Sequence, residues 1–318
     1  MSDSGRLKRL LVATDLSSRA DRAFGRAVEL ARANRARLTV LHVIPDELQP
    51  DYAKELRSRA RAALELQVAQ AMAAGELDVE ITVKGGLDEE KILRQVREGA
   101  ERGELTVEVR IEAGSIYDLI NETAAAVGAD LVVCGAHRKL MIGDEWLGST
   151  TDRVLRFGSR PVLIAKTAPT KPYQDIVVAV DFSEPSAQAL EFALAAFPGA
   201  NFTLVNAVES SLSGILKGAG SDQEALSQRT EELRNFAEAA LSRVQAAYGL
   251  PKIDCRLEVR PGSPANVLDQ YVANNPVDLV VVGTHGRTGL RRAILGSVAG
   301  RTIASLSCDV LAVRPQST

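Results

Sequence analysis

Aromatic residues make up only 4% of the 318-residue chain, with a single tryptophan, so any hydrophobic core must be built from aliphatic side chains. Cysteine is nearly as scarce. Cys134, Cys255 and Cys308 are odd in number, form no CxxC pair and lie beside no metal-like partner cluster. This argues against a disulfide framework or a cysteine metal site, and packed, reduced thiols of a cytosolic protein are the simpler reading. No charge of one sign dominates: the formal net charge is −3, which gives no general attraction to nucleic acid or to an anionic membrane. Any anion site must therefore be local. Long apolar runs are missing as well, the opening stretch Leu10–Ala13 being too short for a signal sequence or a bilayer span. A cytoplasmic location, without membrane or nucleic-acid partners, is the expectation.

What is present is a repeat. Leu10-Leu-Val-Ala-Thr-Asp-Leu-Ser17 recurs as Ile176-Val-Val-Ala-Val-Asp-Phe-Ser183, Asp130-Leu-Val-Val recurs at Asp278, and Arg160-Pro-Val-Leu-Ile-Ala-Lys166 is echoed by Cys308-Asp-Val-Leu-Ala-Val-Arg314. One α/β domain is written twice, and the length suits two domains. The expected boundaries are residues 1–166 and 174–318, with the proline-bearing stretch 167–173 as linker. Within each copy, short aliphatic strands alternate with helical patterns. For the second copy the pattern predicts strands at 176–180, 202–207, 255–259, 279–282 and 310–313, and helices at 186–196, 222–248, 264–273 and 297–304. Fully apolar strands separated by helices indicate two tandem open, mostly parallel five-stranded sheets with helices on both faces, a Rossmann-like α/β architecture. Ligands then belong at the carboxyl ends of the strands.

The first copy holds a smaller duplication. Glu76-Leu-Asp-Val-Glu-Ile-Thr-Val-Lys-Gly-Gly86 returns 28 residues later as Glu104-Leu-Thr-Val-Glu-Val-Arg-Ile-Glu-Ala-Gly114. An extra strand–turn–helix unit over about 76–103 is expected at a sheet edge or on the surface.

The second copy places Gly283 and Gly286 directly after the strand Leu279–Val282, and Gly296-Ser297 before the helical Val298–Ala304. A glycine-lined loop that ends at a helix start suits phosphate, because bare backbone N–H groups and the positive end of the helix dipole face the oxygens. Turns alone also explain many loop glycines. The spacing G-x2-G-x9-G-[ST] resembles the signature of ATP-binding universal stress protein domains, and the likeness extends over nearly the whole chain. The resemblance implies an adenine-nucleotide alpha-hydrolase-like fold and ATP, with or without Mg2+, as ligand. It implies that Asp181 and Val208 flank the adenine and ribose end, and that Gly283, Gly286, Gly296, Ser297 and Val298 surround ribose and phosphates. Asp15, Val43, Gly135, Gly148 and Ser149 are the weaker counterparts in the first copy. There Arg138 stands where the second glycine belongs, and Asp144-Glu145 add negative charge to the loop. The arginine either blocks close backbone approach or reaches a phosphate itself.

Plain structural roles compete for several of these residues. Asp15 and Asp181 end strands, where a turn or capping role is the alternative to nucleotide contact. His137 and His285 match in the two loops and suggest a structural hydrogen bond. His42 reads as a satisfied core residue. Arg287, Arg291 and Arg292 fit either a solvated face or phosphate contact. No Walker A lysine loop, HExxH or GxSxG motif occurs, and no catalytic residue or metal ligand is assigned. Three readings remain: a nucleotide-responsive stress regulator with an unidentified protein partner, a nucleotide-independent scaffold, and a weak ATP hydrolase. The resemblance further implies an internal domain pair through the last strands, Val162–Ala165 and Val310–Val313, and leaves room for a homodimer.

Overall fold

A computed structural model describes residues 7–17, 20–44, 50–73, 82–84, 107–136, 149–208, 219–250, 253–284 and 295–314. The chain divides into two compact units between Pro172 and Tyr173. In the first unit the order is β1 (Arg9–Thr14), α1 (Ala20–Asn34), β2 (Arg37–Ile44), α2 (Pro50–Ala73), β3 (Thr82–Lys84), β4 (Val107–Ala113), α3 (Ile116–Ala126), β5 (Leu131–Gly135), α4 (Ser149–Phe157) and β6 (Val162–Ala165). The second unit follows with β7 (Asp175–Ala179), α5 (Glu184–Ala196), β8 (Asn201–Val208), α6 (Ala219–Tyr248), β9 (Cys255–Pro261), α7 (Pro264–Asn274), β10 (Leu279–Gly283), α8 (Ser297–Ser305) and β11 (Asp309–Val313).

Strands lie side by side as β3-β4-β2-β1-β5-β6 in the first unit and β11-β10-β7-β8-β9 in the second. Pairing is parallel throughout both orders. The α/β class is as the sequence predicts, but the count differs: among the described residues the second unit has five strands and the first has six. The additional strand is β3, from the internally duplicated segment, and it is the outermost of its unit. The remainder of that duplicated unit falls outside the described residues.

Consecutive buried residues in β1, β5, β6 and β10, Leu10–Val12, Leu131–Cys134, Val162–Ala165 and Val280–Val282, mean that both faces of these strands are covered. The helices supply that cover with small and aliphatic residues at helical spacing. In α1 the buried set Ala20, Ala23, Phe24, Ala27, Val28 and Ala31 forms one stripe. Phe192 and Phe202 are the aromatic members among the largest fully buried side chains, the rest being leucine and isoleucine. Burial pushes the Cys134 thiol up to about 12. Burial, with the Asp254 charge adding to it, pushes the Cys255 thiol to about 11. Neither thiol is a nucleophile at neutral pH.

Each unit fastens the amino end of its first strand with one carboxylate. Asp130 Oδ2 accepts the backbone N–H groups of Lys8 and Arg9 at 2.8 and 2.9 Å. Asp278 Oδ2 does the same for Gln174 and Asp175 at 2.8 and 3.1 Å. This explains why the repeat retains Asp ahead of the apolar run. The segment read as a linker packs along α1 within the first unit. Arg22 donates to the Lys166 carbonyl at 2.7 Å and Arg26 to that of Lys171 at 3.0 Å. Between them in the sequence, Gly25 leaves space for Pro169, whose Cγ would lie 3.0 Å from any Cβ there.

Replacing Asp278 with Ala should lower the unfolding free energy of the second unit by about 1 kcal/mol, because two backbone donors lose a charged acceptor in a partly exposed setting. Asp278→Asn, which keeps one acceptor oxygen, should recover most of it. Urea titrations of the three proteins check this, and an unchanged midpoint for Asp278→Ala would show that the clamp is without weight.

Candidate functional site

In the second unit the chain starts at β7, adds β8 and β9 on one side, and then crosses back to place β10 and β11 on the other. The order reverses between β7 and β10, and that reversal opens a crevice at their carboxyl ends. Val180-Asp181 leaves one of these strands and Gly283-Thr284 ends the other. The first unit repeats the arrangement with β1 and β5, bringing Asp15 and Gly135 to the same place.

After each first strand the chain makes the same turn. Asp15 Oδ1 accepts the Ser17 N–H at 3.0 Å, and Asp181 Oδ1 accepts that of Ser183 at 3.0 Å. The intervening residues, Leu16 and Phe182, have φ of 59° and 63°. Side chains larger than glycine rarely adopt that region, so each turn stores local strain. Phe182 is held by an edge-on contact with Phe236, ring centres 5.6 Å apart, and by the Arg229 guanidinium 4.8 Å from its ring centre. Asp181 Oδ1 also accepts the Ser183 hydroxyl. Ser183 in turn caps α5 by accepting the Ser186 N–H. The turn role of both aspartates is thus present in the fold. Since both bonds of Asp181 fall on Oδ1, Oδ2 is left as an acceptor.

The neighbouring strand holds the turn from the side. His42 Nδ1 donates to the Thr14 carbonyl at 2.9 Å, and Asn206 Nδ2 donates to the Val180 carbonyl at 2.7 Å. These are matching positions in the two copies, and the core role read for His42 is this bond. Asn206 is buried, and its Oδ1 has no partner among the described residues. Register sets the valines apart. His42 pairs with Thr14 and Asn206 follows the Ala179–Val205 pair, so Val43 corresponds to Ala207 and Val208 to Ile44. Val208 lies further along, its carbonyl accepting the N–H of Gly262 at 2.9 Å.

Gly283 is explained by packing. A Cβ there would lie 3.1 Å from the carbonyl carbon and oxygen of Pro185, so the first turn of α5 closes directly onto the end of β10. Thr284, buried beyond it, donates its N–H to Val313 at 2.9 Å, while its carbonyl accepts the Gly296 N–H at 2.8 Å. This second bond joins the two ends of the loop and brings Gly296, Ser297 and Val298 to the crevice. Gly296 is the N-cap of α8, with φ −56°, ψ 144° and no side-chain cap. Those angles are open to any residue, so the backbone does not demand glycine here. The first helical bond is Gly300 to Gly296, and the N–H groups of Ser297, Val298 and Ala299 have no acceptor within the helix. Ser297 is exposed and Val298 half-buried.

The structure therefore assembles Asp181, Gly283, Gly296, Ser297 and Val298 at one crevice. In the first unit it brings Asp15 and Gly135 together, with Val43 buried nearby on β2 and Ser149 opening α4. Gly286, Arg287, Arg291, Arg292 and His285 lie outside the described residues, as do His137, Arg138, Asp144, Glu145 and Gly148. Among the described residues no group of three or more His, Cys, Asp or Glu side chains is placed to hold a metal ion. Phe182 and Asn206 were not singled out from the sequence. Asn206 has a signal there, as the polar residue of an otherwise apolar strand end; the left-handed turn at Phe182 has none.

The model of the universal stress protein family matches residues 6–166 and again 172–314. A Staphylococcus haemolyticus protein named as a universal stress protein is 29% identical over 162 residues, covering 50% of this chain and 85% of its own. A universal stress protein of Methanocaldococcus jannaschii is 36% identical over 85 residues, 27% of this chain and 50% of that protein. Among solved structures, a universal stress protein from Archaeoglobus fulgidus superposes with a TM-score of 0.61 at 18% identity, covering 97% of this chain and 98% of its own, which bears on fold alone.

Gly283→Ala should destabilise the second unit by about 1–3 kcal/mol, since the obstructing atoms are backbone and cannot rotate away. Gly199→Ala, where a Cβ meets nothing within 4 Å, is the control and should stay within about 0.5 kcal/mol of the parent. Equal thermal midpoints for the two variants would refute the close-approach account of Gly283.

Proposed function

Because the chain belongs to the universal stress protein family, we propose that its second unit binds ATP, and that the protein acts as a nucleotide-responsive regulator in the cytoplasm. The observation that carries this reading is the bare start of α8, closed onto the end of β10 by the Thr284–Gly296 bond. Phosphate oxygens would take the N–H groups of Ser297 and Val298 and the Ser297 hydroxyl, with the helix dipole adding roughly half a positive charge. Asp181 Oδ2 would accept a ribose hydroxyl. Mg2+ would accompany the phosphates as a counter-ion, with no ligand set assigned to the chain. In the first unit the corresponding reading covers Asp15, Val43, Gly135, Arg138, Gly148 and Ser149. Binding energy spent at α8 and β10 is then available to change a surface that a protein partner reads.

A second reading, a scaffold in which nucleotide is dispensable, is favoured by a specific observation: Gly283 and Asp181 both have complete structural roles without a ligand. On that reading the two domains would pair through the last strands, Val162–Ala165 and Val310–Val313, as the family resemblance implies.

Calorimetric titration of the nucleotide-stripped protein with ATP and Mg2+ separates the two. One site per chain is expected, and a folded Gly296→Val variant should lose it because a branched side chain would stand at the helix start. Binding by that variant equal to the parent would place the nucleotide elsewhere, and no heat from the parent would leave the scaffold.

A further inference from the structure

β4 and β9 are the same strand of the repeated domain. Both span seven residues, offset by 148, and both pair through all seven with β2 or β8 on their inner side. Each ends in a left-handed glycine, Gly114 at φ 154° and Gly262 at φ 133°, which donates back to the end of the inner strand. They differ on the outer side. β4 carries β3 there, parallel, with Thr82, Val83 and Lys84 opposite Glu108, Val109 and Arg110. β9 carries no strand on that side among the described residues.

An open edge is commonly defended by charge or proline. Of the three charged residues on β9, Arg256 is exposed, and the other two are engaged with each other. Glu258 and Arg260 pair within the strand at 3.2 Å, and the Arg260 guanidinium lies 5.0 Å from the ring centre of Tyr271 on α7. Side chains two apart share a sheet face, so this pair lies along the α7 face and not across the backbone edge. Leu257 and Val259 point to the other face and are half-buried. β4 shows that such a pattern is compatible with strand addition. Its Arg110 pairs with Glu108 at 2.7 Å and approaches Glu112 at 3.8 Å, and β3 still lies on its outer edge. Pro261, which lacks an N–H, comes only at the last position of β9.

We propose that the outer edge of β9 is a strand-addition site, which takes an extended segment of a partner polypeptide in parallel orientation, as β4 takes β3. Main-chain hydrogen bonds supply the affinity, and the segment fitted to them has alternating β-branched and polar residues without proline, like residues 76–86 of this chain. The inference is independent of nucleotide binding.

The test uses the full-length protein and a labelled synthetic peptide with the sequence of residues 76–86. Saturable binding is expected, accompanied by slowed amide hydrogen exchange in residues 255–261. Two versions of the peptide are N-methylated at alternate residues in opposite phase, so that each blocks the donors of one strand edge, and the phase that blocks the edge facing β9 should bind at least about tenfold more weakly. Absence of saturable binding would overturn the proposal, and so would binding equal to that of the unmethylated peptide in both phases, which would mean that side chains carry the contact. Protection confined to residues 107–113 would show exchange with β3 and sink the assignment to β9. If the protein sediments as a dimer with residues 255–261 protected before peptide is added, the edge belongs to a second copy and the proposal also fails.

Discussion

Helix α5 begins in close contact with Gly283, which has no side chain to hold it off. Its first turn, at Pro185, lies against the last residue of β10, and a single Cβ would meet backbone atoms at 3.1 Å. The rest of the crevice follows from this contact. The short connection from β7 to α5 must turn sharply, which forces Phe182 into a left-handed conformation. That turn is held by Asp181 and Ser183 from within, by Asn206 from the adjacent strand, and by Phe236 and Arg229 through the ring. Left-handed backbone at a non-glycine residue costs of order 1–3 kcal/mol, so it persists only where its surroundings over-determine it. The first unit repeats the solution with Leu16, Asp15, Ser17 and His42.

Much of the fold could be read in the sequence because its elements are set by period and punctuation. The nine elements expected in the second copy are all present, with ends differing by at most three residues, as where α6 begins at Ala219 and not at Asp222. Apolar runs of four or five residues between helical patterns leave little alternative to buried parallel strands. The crevice was legible in part. Gly296-Ser297 stood out through its place before a helix, but Gly283 gives the same signal whether a phosphate or Pro185 is what requires the missing side chain. Sequence spacing alone also could not fix the register of β8, so Val208 reads as the partner of Val43 although Ala207 holds that position. A side chain that caps a neighbouring strand's carbonyl, as His42 and Asn206 do, leaves no periodic trace.

Duplication makes the chain its own control. Where both copies keep a feature with different residues, the shared physical task is what matters. Histidine and asparagine both place an N–H donor at the Thr14 or Val180 carbonyl, and nothing else about them is common. Asp130 and Asp278 keep both identity and role, which marks the two-donor clamp as a task that a neutral side chain performs less well. Divergence is equally informative at the outer strand: β4 and β9 agree in length, register and terminal glycine, so the presence of β3 on one of them reflects an added segment and not a different edge.

The two ends of each sheet are treated oppositely, and this polarity bears most directly on function. At the amino ends, backbone donors of the entering strand are satisfied by carboxylates supplied from within the chain. At the carboxyl ends of the second unit, α5 is capped by Ser183, but α7 begins at Ser263 without a side-chain cap bond and α8 begins at Gly296 with none available. Helix-start N–H groups need acceptors, and water is the default. Among the described residues, aspartates satisfy the strand donors at one edge, while at the other the positive ends of α7 and α8 carry no side-chain cap, which sets an electrostatic direction. An anion approaching the carboxyl end gains donors that cost no rearrangement, whereas at the amino end it meets Asp278, whose carboxylate already occupies the donors. The overall charge of −3 does not create this direction; it arises from which backbone groups the chain satisfies with its own side chains.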